Sequence, residues 1–114
     1  MNASEYQSLA ARTLTVNPGF SLDGNELMIV WNAVGISGEA GEILEMVKKG
    51  IFHSHDIDLH KLEKEIGDIL WYIAALCTVM GLDMSQVMET NIAKLKIRYP
   101  SGFSFEDSKK RSDT

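Results

Sequence analysis

The sequence predicts an all-α fold, most simply an antiparallel bundle of about four main helices joined by short connections. Three observations carry this reading. Apolar residues recur at helical spacing over long stretches, those stretches are bounded by capping residues, glycine or proline, and no run alternates as a strand does. At 114 residues the chain reads as one domain, residues 1–114, with room for a single modest core. A helical chain of this size often completes that core by oligomerisation, through a partner subunit.

Helix one is predicted from about Ser4 to Thr15, with Asn2 and Glu5 spaced as a capping box and Tyr6, Leu9 and Leu14 as a thin apolar face. Asn17-Pro18-Gly19 ends it, and residues up to Gly24 read as a loop. Helix two runs from about Asn25 to Lys49, with Gly50 as terminator and Lys48 and Lys49 complementing the helix dipole. Its Gly35, Gly38 and Gly41 permit a close helix approach or leave room for a ligand. After a polar linker, His53 to Asp58, helix three spans about Leu59 to Met80 and is closed by Gly81. Asp83 with Gln86 repeats the capping-box spacing for helix four, which continues to about Tyr99, where Pro100 stops it. Residues 101–114 read as a polar, loosely held tail unless Phe103 and Phe105 dock.

Charge and cysteine usage narrow the class. A net charge of −5 argues against gripping nucleic acid through its phosphates, although it leaves room for a small phosphorylated ligand held by a metal. Cys77 is the only cysteine, which points to a reduced, cytoplasmic setting. No basic region followed by an apolar core opens the chain, so no signal peptide is read. The most apolar run, Ile69 to Leu82, has 14 residues between Asp68 and Asp83, too short for a membrane span.

The chemistry-bearing residues are carboxylates. Glu39 and Glu42, and again Glu65 and Asp68, stand three apart, which places each pair on one helix face. At about 100° per residue Glu39 falls inside the apolar stripe of Met28, Ile36, Ile43 and Met46, while Glu42 lies at its edge beside Trp31. A charged group among core-facing residues needs a pairing partner, hydrogen bonds or a metal. Asp68 and Tyr72 flank the corresponding stripe on helix three. On helix four Asn91 lies between Met84 and Val87, with Lys94 and Arg98 at the adjoining edge, so three helices direct polar groups inward. A metal with a polyphosphate would satisfy both sets. The plainer alternative is structural ion pairing, Glu65 with Lys94 or Asp68 with Arg98, in a non-catalytic oligomerisation or nucleotide-sensing module. No Glu-x-x-His pair is present for a di-iron bundle, and one cysteine with His53, His55 and His60 does not compose a zinc site. Trp31, Trp71 and Tyr72 are by default core aromatics; at a cleft edge Trp31 and Tyr72 could stack on a base.

Glu39-x-x-Glu42, 22 intervening residues, Glu65-x-x-Asp68 and then Asn91-x-x-Lys94-x-x-x-Arg98-Tyr99-Pro100 resemble the MazG-type all-α nucleoside triphosphate pyrophosphohydrolases. The words Gly38-Glu39-Ala40-Gly41-Glu42 and Gly67-Asp68-Ile69-Leu70-Trp71-Tyr72 agree, and the resemblance covers roughly Ser4 to Phe105. It implies Mg²⁺-dependent cleavage of (deoxy)nucleoside triphosphates between the α and β phosphates, with Mn²⁺ as a substitute, in a nucleotide-pool house-cleaning role. It further implies that Glu39, Glu42, Glu65 and Asp68 hold the metal, that Asn91, Lys94 and Arg98 contact the phosphates, and that the protein is a dimer or tetramer. Many members carry a glutamate where this chain has Gly38; members resembling dCTP pyrophosphatases have glycine there, which tilts the expected substrate toward pyrimidines.

Overall fold

In a computed structural model the chain is all helical, and the structure describes residues 1–14 and 24–113. The helices are α1 (Ala3–Ala11), α2 (Gly24–Phe52), α3 (Leu59–Met80), α4 (Met84–Arg98) and α5 (Phe105–Lys110). The Asn2–Glu5 capping box is present, Asn2 Oδ1 accepting from the Glu5 amide at 2.8 Å. Helix α1 is shorter than predicted, ending at Ala11 rather than near Thr15, and its last carbonyls accept from Arg12, Thr13 and Leu14 in tight turns. The predicted stop at Asn17-Pro18-Gly19 lies outside the described residues.

Helix α2 does not stop at Gly50, as the sequence predicts. It continues to Phe52 and is closed by Ser54 in the left-handed region (φ 56°), with the His53 and His55 amides both donating to the Lys49 carbonyl at 3.1 Å. Gly50 serves packing instead: a Cβ there would lie 2.6 Å from Ile57 Cγ1. By length and composition alone α2 would suffice to cross a membrane, a property that central helices of folded bundles share, and Glu39, Glu42 and Glu45 interrupt its second half.

Helices α2 and α3 form an antiparallel hairpin, the most extensive packing in the molecule. Gly35 lies against Tyr72 near one end and Gly50 against Ile57 near the other. Asp58 caps α3 by accepting from the His60 and Lys61 amides, and Gly81 (φ 70°) closes it with Leu82 N donating to the Cys77 carbonyl at 2.8 Å.

The turn at Leu82-Asp83 sends α4 off at 104° to α3, so α4 packs on α1 and α5 rather than lying back along the hairpin. Asp83 caps α4 through the Ser85 amide, while Gln86 donates forward to Thr90 at 3.3 Å instead of closing the predicted box. Gln7 of α1 fixes this corner: its amide donates to the Leu82 carbonyl and accepts from Met84 N at 2.7 Å. Ala10, Ala74, Cys77 and Met84 bury a small-residue core behind it, flanked by Tyr6, Trp71 and Ile73.

The segment read as a loosely held tail carries α5, which Ser104 caps by accepting from the Asp107 amide at 3.0 Å. Phe103 rests on Tyr99 and Phe105 on Phe103, each with ring centroids 5.3 Å apart. Asp113 ties the end back to α4, accepting from Arg98 Nε and Nη2 at 2.5 and 2.6 Å, a pairing that pushes its pKa down to about 2.

The two kinds of glycine in α2 separate in a stability measurement. A Cβ at Gly35 would run into the Tyr72 ring, whereas one at Gly41 meets nothing within 4 Å. Gly35→Ala is expected to lower unfolding free energy by about 1–3 kcal/mol through overpacking, and Gly41→Ala to raise it by about 0.5–1 kcal/mol through helix propensity. Denaturant titration reads both, and equal effects would contradict this packing.

Candidate metal centre

Between the two contact points of the hairpin, α2 contributes Glu39 and α3 contributes Glu65 and Asp68. One carboxylate oxygen from each lies within 4.8 Å of the others, with Glu39 and Glu65 half-buried and Asp68 exposed. The i, i+3 spacing on α3 turns both of its acids to the seam, and the antiparallel register brings Glu39 opposite them. Hard divalent cations take oxygen ligands of this kind.

No cation neutralises the cluster among the described residues. The ion pairs there join Glu45 to Lys48 and Lys49 and Arg98 to Asp113, so neither Glu65–Lys94 nor Asp68–Arg98 forms. The Glu39 carboxyl is held above its ordinary pKa by burial first, then by a hydrogen bond shared with the Glu65 carboxyl and by the charges of Asp68, Glu65 and Glu42. Such a group of acids is suited to a divalent ion, which would relieve the repulsion among them.

Helix α1 adds a residue that sequence reading placed only on an apolar face. The Tyr6 hydroxyl donates to the Gly67 carbonyl at 3.4 Å, and burial followed by the charge of Asp68 holds its pKa above the usual phenol value. Tyr6 stands 61 residues from Gly67 in sequence, and no local spacing signals the contact.

Glu42 lies outside the three-acid cluster and lines an adjoining groove of about 320 Å³ together with Glu39, Gly38, Gly35, Trp31 and Tyr72. Trp31 and Tyr72 therefore border the acids. The three residues of α4 are placed differently. Asn91 and Lys94 are exposed on a helix that leaves the hairpin at 104°, and the described contacts do not bring them to the carboxylates. Arg98 is engaged by Asp113, which with burial of the pair holds the guanidinium to one place.

Residues 32–103 match the MazG nucleotide pyrophosphohydrolase domain family. The Gene 37 protein of Mycobacterium phage L5 is 32% identical over 112 residues, an alignment covering 90% of this chain and 92% of the phage protein. No solved structure matches the chain significantly. The paired carboxylates on α2 and α3 lie within the matched residues, and the chain belongs to the MazG nucleotide pyrophosphohydrolase domain family.

Proposed function

We propose that the protein hydrolyses (deoxy)nucleoside triphosphates to monophosphate and pyrophosphate with the help of a divalent metal. The observation that carries this reading is the convergence of Glu39, Glu65 and Asp68 with no neutralising side chain among the described residues, in a chain of this family. Glu39, Glu65 and Asp68, joined by Glu42 from the next turn of α2, would hold Mg²⁺ or, as a substitute, Mn²⁺. The bound metal supplies Lewis-acid polarisation of the phosphates and a more acidic water. Glu39 or Glu42 takes the proton of the attacking water. Trp31 and Tyr72, at the groove wall, orient the nucleoside end.

The phosphate contacts of Asn91, Lys94 and Arg98 belong, on this reading, to a homodimer or a tetramer built from it. The isolated chain is extended, with a radius of gyration of 17.6 Å, against about 13 Å for a compact domain of about 100 residues. Val34 and Leu44 on α2 are 64% and 68% exposed, and Met88 and Ile92 on α4 are 53% and 52% exposed, more apolar surface than a monomer of this size ordinarily shows. A second copy packed on these faces would return α4 side chains to a groove. Net charge and the lone buried Cys77 support a cytoplasmic setting with neither nucleic acid nor membrane as partner.

Three measurements test the reading. Glu39→Gln and Asp68→Asn are each expected to reduce Mg²⁺-dependent pyrophosphate release about 100-fold or more with the helical circular dichroism unchanged; near-normal turnover by either rejects the assignment. Mg²⁺ with a non-hydrolysable triphosphate should raise Tm by mass action, and a shift without turnover on any triphosphate would identify a sensor rather than an enzyme. Light scattering at micromolar concentration should give a dimer or tetramer, and a monomer would overturn the assembly.

The metal-free protein carries a pH signature. Because folding raises the Glu39 pKa, its contribution to stability is fully present below the ordinary glutamate range and is lost as pH rises through the raised value. Metal-free wild type should therefore lose Tm as pH rises above the ordinary glutamate range, and Glu39→Gln should flatten that slope. An equal slope in the variant would contradict the shared-proton arrangement.

A further inference from the structure

The residues after Pro100 fold back on α4 with little core of their own. Helix α5 buries none of its residues, and Phe103 and Phe105 are largely exposed. Apolar burial therefore gives this segment little reason to return. What it delivers is one carboxylate. Gly102 (φ 87°) turns the chain, Ser104 caps α5 and Arg111 (φ 52°) closes it, after which Asp113 stands against Arg98.

The pairing differs in kind from the other ion pairs among the described residues. Glu45 meets Lys48 and Lys49 at 3.9 and 3.8 Å with all three side chains about half exposed. Arg98 Nε and Nη2 instead donate to separate oxygens of Asp113, at 2.5 and 2.6 Å, and the two side chains are only 14% and 2% exposed. Burying a charged pair carries a desolvation cost that apolar residues avoid, so stability alone is a poor reason to place one here. Two parallel bonds do fix a planar group in both position and orientation. The guanidinium carries five N–H donors in a rigid fork, of which this pairing takes two on the Nε side. Its Nη1 end is thereby aimed in a direction that Asp113 sets. The Tyr99 ring, its centroid 5.9 Å from Arg98 Cζ, confines the same group further.

Arg98 closes the run Asn91-x-x-Lys94-x-x-x-Arg98, which the proposed hydrolysis assigns to the phosphates. Of these three side chains, Arg98 is the one held by another side chain among the described residues. We infer that Asp113 is a positioning residue for phosphate binding: it holds the Arg98 guanidinium so that the Nη1 end meets the β and γ phosphates of a nucleoside triphosphate. The inference rests on the hydrolase reading and on the place of Arg98 in it. It gives α5 and Asp113, which lie beyond the family match at residues 32–103, a part in substrate recognition.

Binding and turnover test it together. Calorimetry with inorganic pyrophosphate and Mg²⁺ reads the phosphate contacts alone, and pyrophosphate release from triphosphates gives KM and kcat. Asp113→Asn should raise both the pyrophosphate Kd and KM about tenfold, with kcat within about twofold of wild type and helical circular dichroism kept. Asp113→Glu, which retains the charge and both oxygens, should recover most of that loss. Adding Asp113→Asn to Arg98→Lys should cost nothing further, because Asp113 acts through the guanidinium. A folded Asp113→Asn that binds pyrophosphate as wild type does, or losses that simply add in the double variant, overturns the inference. Wild type supplies a measurement that needs no variant: in ¹⁵N NMR the Arg98 Nε–H should stay protected from exchange when pyrophosphate binds. Loss of that protection would make Asp113 a competitor of the phosphates and overturn the positioning role. Wild type that neither binds nor releases pyrophosphate removes the hydrolase reading along with this one. Normal release with a wild-type-like Asp113→Asn leaves the hydrolase standing and removes this inference alone.

Discussion

The α2–α3 hairpin has to hold three like-charged groups together. Carboxylates within 4.8 Å repel one another, and no lysine or arginine relieves them among the described residues. The hairpin keeps its register because close contacts flank the acids on both sides: Tyr72 lies on the bare backbone at Gly35, and Ile57 lies on Gly50. The hydrogen bond from Tyr6 to the Gly67 carbonyl adds a third helix at the middle of the seam. The acidic cluster is thus imposed by packing that lies outside it, and the raised pKa of Glu39 is the electrostatic consequence.

Much of this was legible in the chain because it is written locally. The Asn2–Glu5 box, the Asp58 linker, Gly81 and Pro100 mark ends that the structure keeps to within a residue or two. The three-residue carboxylate spacing likewise placed Glu65 and Asp68 on one face, and the apolar stripe of α2 turned Glu39 toward them. Gly50 misled because a glycine near a helix end can be there for its neighbour: Ile57 needs the space, and Ser54 takes the left-handed turn instead. The Ser104-to-Asp107 spacing does signal a helix start, but six residues following a proline read more readily as tail.

What periodicity could not supply was direction between helices. The apolar and polar edges of α4 are as the spacing describes, yet the angle at Leu82-Asp83 is set by Gln7, which clamps the turn from 75 residues away. Asn91 and Lys94 are therefore exposed on a helix whose described packing is with α1 and α5. Arg98 follows a similar logic, since its carboxylate is Asp113, 15 residues downstream and not Asp68. Long-range polar contacts of this sort leave no mark in local spacing, and Tyr6 beside Asp68 is another.

The fit of Tyr72 against Gly35 also bears on how this sequence can diverge. A side chain at position 35 and a six-membered ring at position 72 compete for one volume, so neither site is free to drift alone. Lineages that acquire even an alanine at 35 should carry a compensating smaller or reoriented residue at 72, and the groove wall beside the acids would be remodelled by the same pair of changes. Correlated replacement at these two positions is then a mark by which altered substrate choice could be traced through related genomes.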